Sequence, residues 1–146
     1  MSTMVVRYAL PALAFAIGVV WQVPVTAQTA MSPAGQPAAF RADLKDAKGK
    51  SHGTVTATLD KGLLSWTARY SGLSEKPSAA HFHGPAAPGQ NAEIQVNASN
   101  LANPMTGVWA LSEGQVVDLM ANRWYFNIHT KKNPGGEARG QLVRAR

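Results

Sequence analysis

The sequence predicts an all-β protein, an antiparallel Greek-key-like sandwich or barrel with one short helix near residues 113–121. Three observations carry that expectation. Apolar residues recur at every second position in short runs, the period of a half-buried strand. Turns bearing Gly, Asn, Asp or Pro separate the runs, at the spacing of an antiparallel β domain. Helix signals gather in one place, where Ser112-Glu113-Gly114-Gln115 reads as a capping box.

Residues 1–27 carry one basic residue, Arg7, then an apolar run from Tyr8 to Val23, then Val25-Thr26-Ala27. A basic start, an apolar middle and small residues at a cleavage position read as a secretory signal peptide ending at Ala27. Gln22 and Pro24 cut the run below the roughly 20 residues a membrane-spanning helix needs. The mature chain is therefore expected to be secreted or periplasmic, with no stable membrane insertion. Residues 28–37, rich in Pro, Ala, Gly and Ser, read as a flexible linker. Residues 38–146 then form one β domain, long enough to build a core without staples. The chain has no cysteine, so neither a disulfide nor a lipid-modified cysteine is available.

Within that domain Phe40, Ala42 and Leu44 alternate with Arg41, Asp43 and Lys45. After the stretch DAKGKSHG, Val55, Ala57 and Leu59 alternate with threonines. Asp60-Lys61-Gly62 reverses the chain, and Leu64, Trp66, Ala68 and Tyr70 continue the pattern. Ala92, Ile94 and Val96 predict a short strand, and Val108–Leu111 another. The helix holds Val116, Val117, Leu119 and Met120 on its apolar side, with Asn122 as its stop. Trp66, Trp109, Trp124 and Phe126 read as core.

Two stretches carry the chemistry. In Ala80–His83, Ala80 and Phe82 point inward while His81 and His83 project from the other face, roughly 7 Å apart. In Trp124–Thr130, Trp124, Phe126 and Ile128 face the core; Tyr125, Asn127 and His129 face away. Asn133-Pro134-Gly135-Gly136 supplies a turn, with Pro134 pre-setting its φ and Gly135 expected at positive φ. Beyond it, Glu137, Arg139 and Gln141 share the polar side. If the two strands are neighbours, His81, His83 and His129 converge.

These stretches, HxHG, YFNIHT and NPGGEARGQ in that order, resemble the chordin-type (CHRD) domain. The likeness runs from about Ala38 to Val143 and rests on His81, His83 and Gly84; on Asn127, His129 and Thr130; and on Gly136, Glu137, Arg139, Gly140 and Gln141. It implies an extracytoplasmic, mostly β domain and brings no established catalytic activity.

Neutral imidazole is the commonest metal ligand, and three imidazoles suit copper or zinc. On that reading His81, His83 and His129 hold the ion, Asn127 and Glu137 support them, and Arg139 holds an anion nearby. Copper–zinc superoxide dismutase, another β-sandwich, also uses an HxH pair for copper, so a redox activity of that type is a sub-case. The competing reading makes the histidines structural, pairs Glu137 with Arg139, and leaves a non-enzymatic module that binds a protein or an envelope polymer. His52, in a Gly/Lys stretch, reads as a solvated turn residue.

Other classes fall away. The net charge of +6 is spread along the chain without a basic stripe interleaved with aromatics, which argues against nucleic-acid binding. No GxSxG nucleophile setting and no Gly-rich phosphate loop before a helix is present.

Overall fold

The computed structural model describes residues 36–145. The expected signal peptide over residues 1–27 and most of the linker lie outside the described residues. Nine strands and one helix follow in order: β1 (Ala38–Lys45), β2 (Ser51–Asp60), β3 (Leu63–Tyr70), β4 (Pro77–His83), β5 (Ile94–Asn97), β6 (Met105–Ala110), α1 (Glu113–Met120), β7 (Tyr125–Thr130), β8 (Ala138–Gln141) and β9 (Val143–Arg144).

All pairings are antiparallel, and the strands form a nearly closed barrel in the order β5-β4-β7-β8-β1-β2-β3-β6, with β9 added to β1. The β1–β2, β2–β3, β4–β5 and β7–β8 neighbours follow one another in sequence. Pairs β4–β7, β3–β6 and β1–β8 do not, and they give the sheet its Greek-key character.

Local chemistry explains the elements. In β1 every even-numbered residue from Ala38 to Leu44 is buried and every odd one exposed, so a one-residue slip would turn the whole apolar set to water. Lys61 and Gly62 both have positive φ (48° and 82°), the turn whose twist matches a two-residue hairpin. In α1 the capping box forms on both sides: Gln115 N–H donates to Ser112 Oγ, and Ser112 N–H donates to Gln115 Oε1. Asn122, at φ 57°, ends the helix as its residue type predicts.

The core centres on four aromatic rings. Phe82 meets Phe126 at 4.7 Å and Trp66 at 5.2 Å, both edge-on, and Trp124 at 6.3 Å. Removing a buried Phe of this kind costs about 3–5 kcal/mol. Because β4 and β7 each place a Phe here, the core locks them together and aligns the residues on their other faces.

Three expectations are corrected. Trp109 is 46 % exposed, because β6 ends the sheet and its inner face has a strand on one side alone. Val117 also stands in solvent, leaving Leu119 as the buried residue of α1. At the 133–136 turn it is Gly136, not Gly135, that takes positive φ (116°).

Candidate metal centre

Strands β4 and β7 are direct neighbours, with His81 opposite Asn127 and Ala79 opposite His129. Residues paired across a ladder share a face. His81, His83 and His129 therefore emerge together on the face away from the aromatic core. Their ligand atoms all lie within 4.8 Å of one another. His81 Nδ1 stands 3.2 Å from His129 Nε2.

Hydrogen bonds to carbonyls set the tautomers of His83 and His129, and that of His81 follows, because its Nδ1 donates to His129 Nε2. His83 Nδ1 lies 2.9 Å from the Ala92 carbonyl, and His129 Nδ1 lies 2.8 Å from the Pro134 carbonyl. A carbonyl only accepts, so each Nδ1 carries the proton and each Nε2 keeps a lone pair. His83 Nε2 is buried and has no hydrogen-bond partner. Burial lowers the His81 pKa, and the neighbouring His129 and His83 lower it further. Burial also lowers that of His83; the Ala92 hydrogen bond opposes the shift, and His129 and Arg139 reinforce it. His81 and His83 are thereby biased toward neutral imidazole.

The far side of β7 is not solvated as the alternation predicts. Tyr125 and Asn127 are both buried there. The 84–93 loop and the 133–137 turn fold over them: Ala92 N–H donates to Tyr125 Oη at 3.2 Å, and Asn127 Nδ2 to the Gly135 carbonyl at 3.3 Å. His83 stacks on Tyr125 with the rings 3° from parallel and 4.7 Å apart. Arg139 Cζ lies 3.5 Å from the centre of the Tyr125 ring, a cation–π contact. Its guanidinium donates to Asn91 Oδ1 at 3.0 Å and to the Gln90 carbonyl.

The expected supporting residues are rearranged. Glu137 touches no histidine and forms no ion pair with Arg139. Its carboxylate accepts from Ser74 N–H (2.5 Å), Ser74 Oγ (2.6 Å), Thr130 Oγ1 (2.7 Å) and Asn133 Nδ2 (3.0 Å). Partial burial pushes this carboxyl up, but those hydrogen bonds together outweigh it and hold the pKa at about 2, against an ordinary 4.5. Glu137 is the tie-point of the turn. His83 and His129 are oriented instead by the backbone carbonyls of Ala92 and Pro134.

Asn127 acts on the same turn. A Cβ on Gly136 would sit 2.2 Å from Asn127 Oδ1, so the chain can pass there only as glycine. The amide of Asn127 packs beneath the turn that aims the Pro134 carbonyl at His129.

His52 is a further correction. It is 3 % exposed, inside β2, with Nδ1 at 3.1 Å from the Ser71 carbonyl and Nε2 at 3.3 Å from Asp46 Oδ2. It takes no part in the cluster.

Fold and site together define a β-barrel domain with a three-imidazole cluster on its outer wall. Residues 23–142 match the family model of the CHRD domain, and the chain belongs to that family. Domains of this type are generally extracellular binding modules. No curated protein and no solved structure matches the chain. Among the described residues, no helix is long and apolar enough to cross a membrane.

Proposed function

We propose that this protein is exported by a signal peptide over residues 1–27, carries a linker over 28–37, and binds a copper or zinc ion in the secreted or periplasmic space. His81, together with Nε2 of His83 and of His129, holds the ion. The observation that carries this reading is the buried Nε2 lone pair of His83. It is unpartnered and is set beside two further imidazoles while its own Nδ1 is tied to a carbonyl. Ligating histidines characteristically donate their second nitrogen in this way. Zinc–nitrogen bonds of about 2.0–2.1 Å put tetrahedral ligands about 3.4 Å apart, close to the 3.2 Å between His81 and His129. The ligand atom of His83 lies within 4.8 Å of the other two, and on this reading it closes on the ion when the metal binds.

Three protein ligands leave a position for water or a small substrate. With copper, that position suits a one-electron reaction of the superoxide-dismutase type. Arg139, over Tyr125 and beside His83, adds positive charge on this side.

A second reading, a non-enzymatic module for a protein or envelope polymer, is favoured by Val108 (64 % exposed) and Trp109 on the end strand β6. Calorimetric titration with copper(II) and zinc(II), beside a His81→Ala/His83→Ala variant, separates the two. The metal reading expects one equivalent bound tighter than micromolar and lost in a variant that keeps its β circular dichroism. Equal, weak binding by both proteins, with the variant less stable, favours the interaction module.

A further inference from the structure

A second charged feature lies across the β1–β8 seam. Lys45 and Arg139 are direct partners there, two cations facing each other on adjacent strands. Like charges in that relation repel, and among the described residues neither has a carboxylate within ion-pair distance. Between them opens a cleft of about 420 Å³, walled also by Ala47, Pro88, Gly89 and Gln141.

Two carboxylates line the same cleft and both are ionised there. Their oxygens are already occupied by hydrogen bonds from their own neighbours, which leaves the two cations as the groups with donors to offer. Glu137 is saturated by Ser74, Thr130 and Asn133. Asp46 accepts from the Lys48 and Lys50 amides with one oxygen and contacts His52 with the other. Asp43, the outward carboxylate of β1, is paired with Arg41. The cations are differently placed. The Lys45 ammonium has no hydrogen-bond or ion-pair partner among the described residues. Arg139 spends two N–H groups on the neutral Asn91 and Gln90, and a guanidinium has five.

We propose that this cleft binds a phosphate group, bracketed by the Lys45 ammonium and the Arg139 guanidinium. The planar fork of arginine matches phosphate oxygens, and lysine adds a mobile point charge. The three histidines do not line this cleft; Arg139 is the residue the two sites share, since it also acts on His83 through space. The same chemistry is offered by free phosphate, a dianion, and by the phosphodiesters of an envelope polymer, so both serve as probes.

The test is a ¹H–¹⁵N NMR titration of the metal-free protein with inorganic phosphate and, separately, with poly(glycerol phosphate), using acetate as control. The proposal expects saturable shifts at residues 45–47, 89 and 139–141. Affinity should fall at least tenfold in Lys45→Ala and be retained in Lys45→Arg and in the His81→Ala/His83→Ala variant. Tighter binding of the polymer assigns an envelope source, and tighter binding of inorganic phosphate a soluble one. Absent shifts, shifts unchanged by Lys45→Ala, or equal binding of acetate would overturn it. Metal titration of Lys45→Ala keeps this result independent of the metal reading.

Discussion

His52 and His83 are both buried histidines on β strands, and both hold a backbone carbonyl with Nδ1. They differ at the other nitrogen. His52 Nε2 meets Asp46, which closes its hydrogen-bonding account, whereas His83 Nε2 meets nothing. One ring is a clip between a loop and a strand. The other is half of an unfinished interaction, with two more imidazoles beside it. Burial alone therefore does not distinguish the two rings; on the metal reading proposed above, the second nitrogen does.

The sharpest way to break this comparison is to exchange the roles. His83→Ala should weaken zinc or copper binding at least 100-fold by calorimetry, while His52→Ala leaves it unchanged. Equal losses in the two variants would erase the distinction drawn above.

Next in size is Gly136→Ala. It forces a side chain into positive φ and against Asn127, at a cost of about 2–3 kcal/mol. Moving that turn also shifts the Pro134 carbonyl from His129, so metal affinity should fall about tenfold. A denaturant midpoint and a calorimetric titration on one sample read both effects.

His52→Ala itself should lower stability by about 1–3 kcal/mol, the range for losing buried hydrogen-bond partners. Chemical denaturation checks this, and a variant as stable as the parent would show that the clip contributes nothing.

The smallest effect concerns pH. Because Glu137 is depressed to about 2, the unfolded chain takes up a proton near pH 4.5 that the folded protein refuses until about pH 2. Its stabilisation is complete above pH 4.5 and is lost as pH falls toward 2. Glu137→Gln should therefore be less stable by about 1 kcal/mol near neutrality, with the gap closing in acid and metal affinity unaffected. A gap independent of pH would mean that the carboxylate charge is not what ties the turn.

Much of the barrel was legible because alternation survives wherever one face is buried, as in β1 and β3. The three histidines were legible for the same reason: HxH on a strand needs no tertiary information to share a face. What holds them was not. A backbone carbonyl carries no residue signature, so nothing marked Ala92 or Pro134 as partners of His83 and His129. Glu137 looked like a histidine's support because it shares a strand face, yet Ser74, distant in sequence, captures it. The pattern misled at His52 because Gly and Lys around it read as loop, whereas β2 begins at Ser51 and the β1–β2 register shifts at Lys45. Trp109 was misplaced because strand order, which decides who ends the sheet, is not written in local periodicity.

Strand β9 lies on β1, with Phe40 opposite Arg144, and Ala145 N–H donates to the Ala39 carbonyl at 2.9 Å. The two ends of the described domain thus meet in a single ladder, on strands other than β4 and β7. Such an arrangement suits circular permutation: a short link from residue 145 to residue 38, with new ends opened at Lys61-Gly62, leaves every histidine contact in place. The same closeness makes the domain a cassette that enters a host protein's loop as a single graft, its imidazole cluster carried along intact.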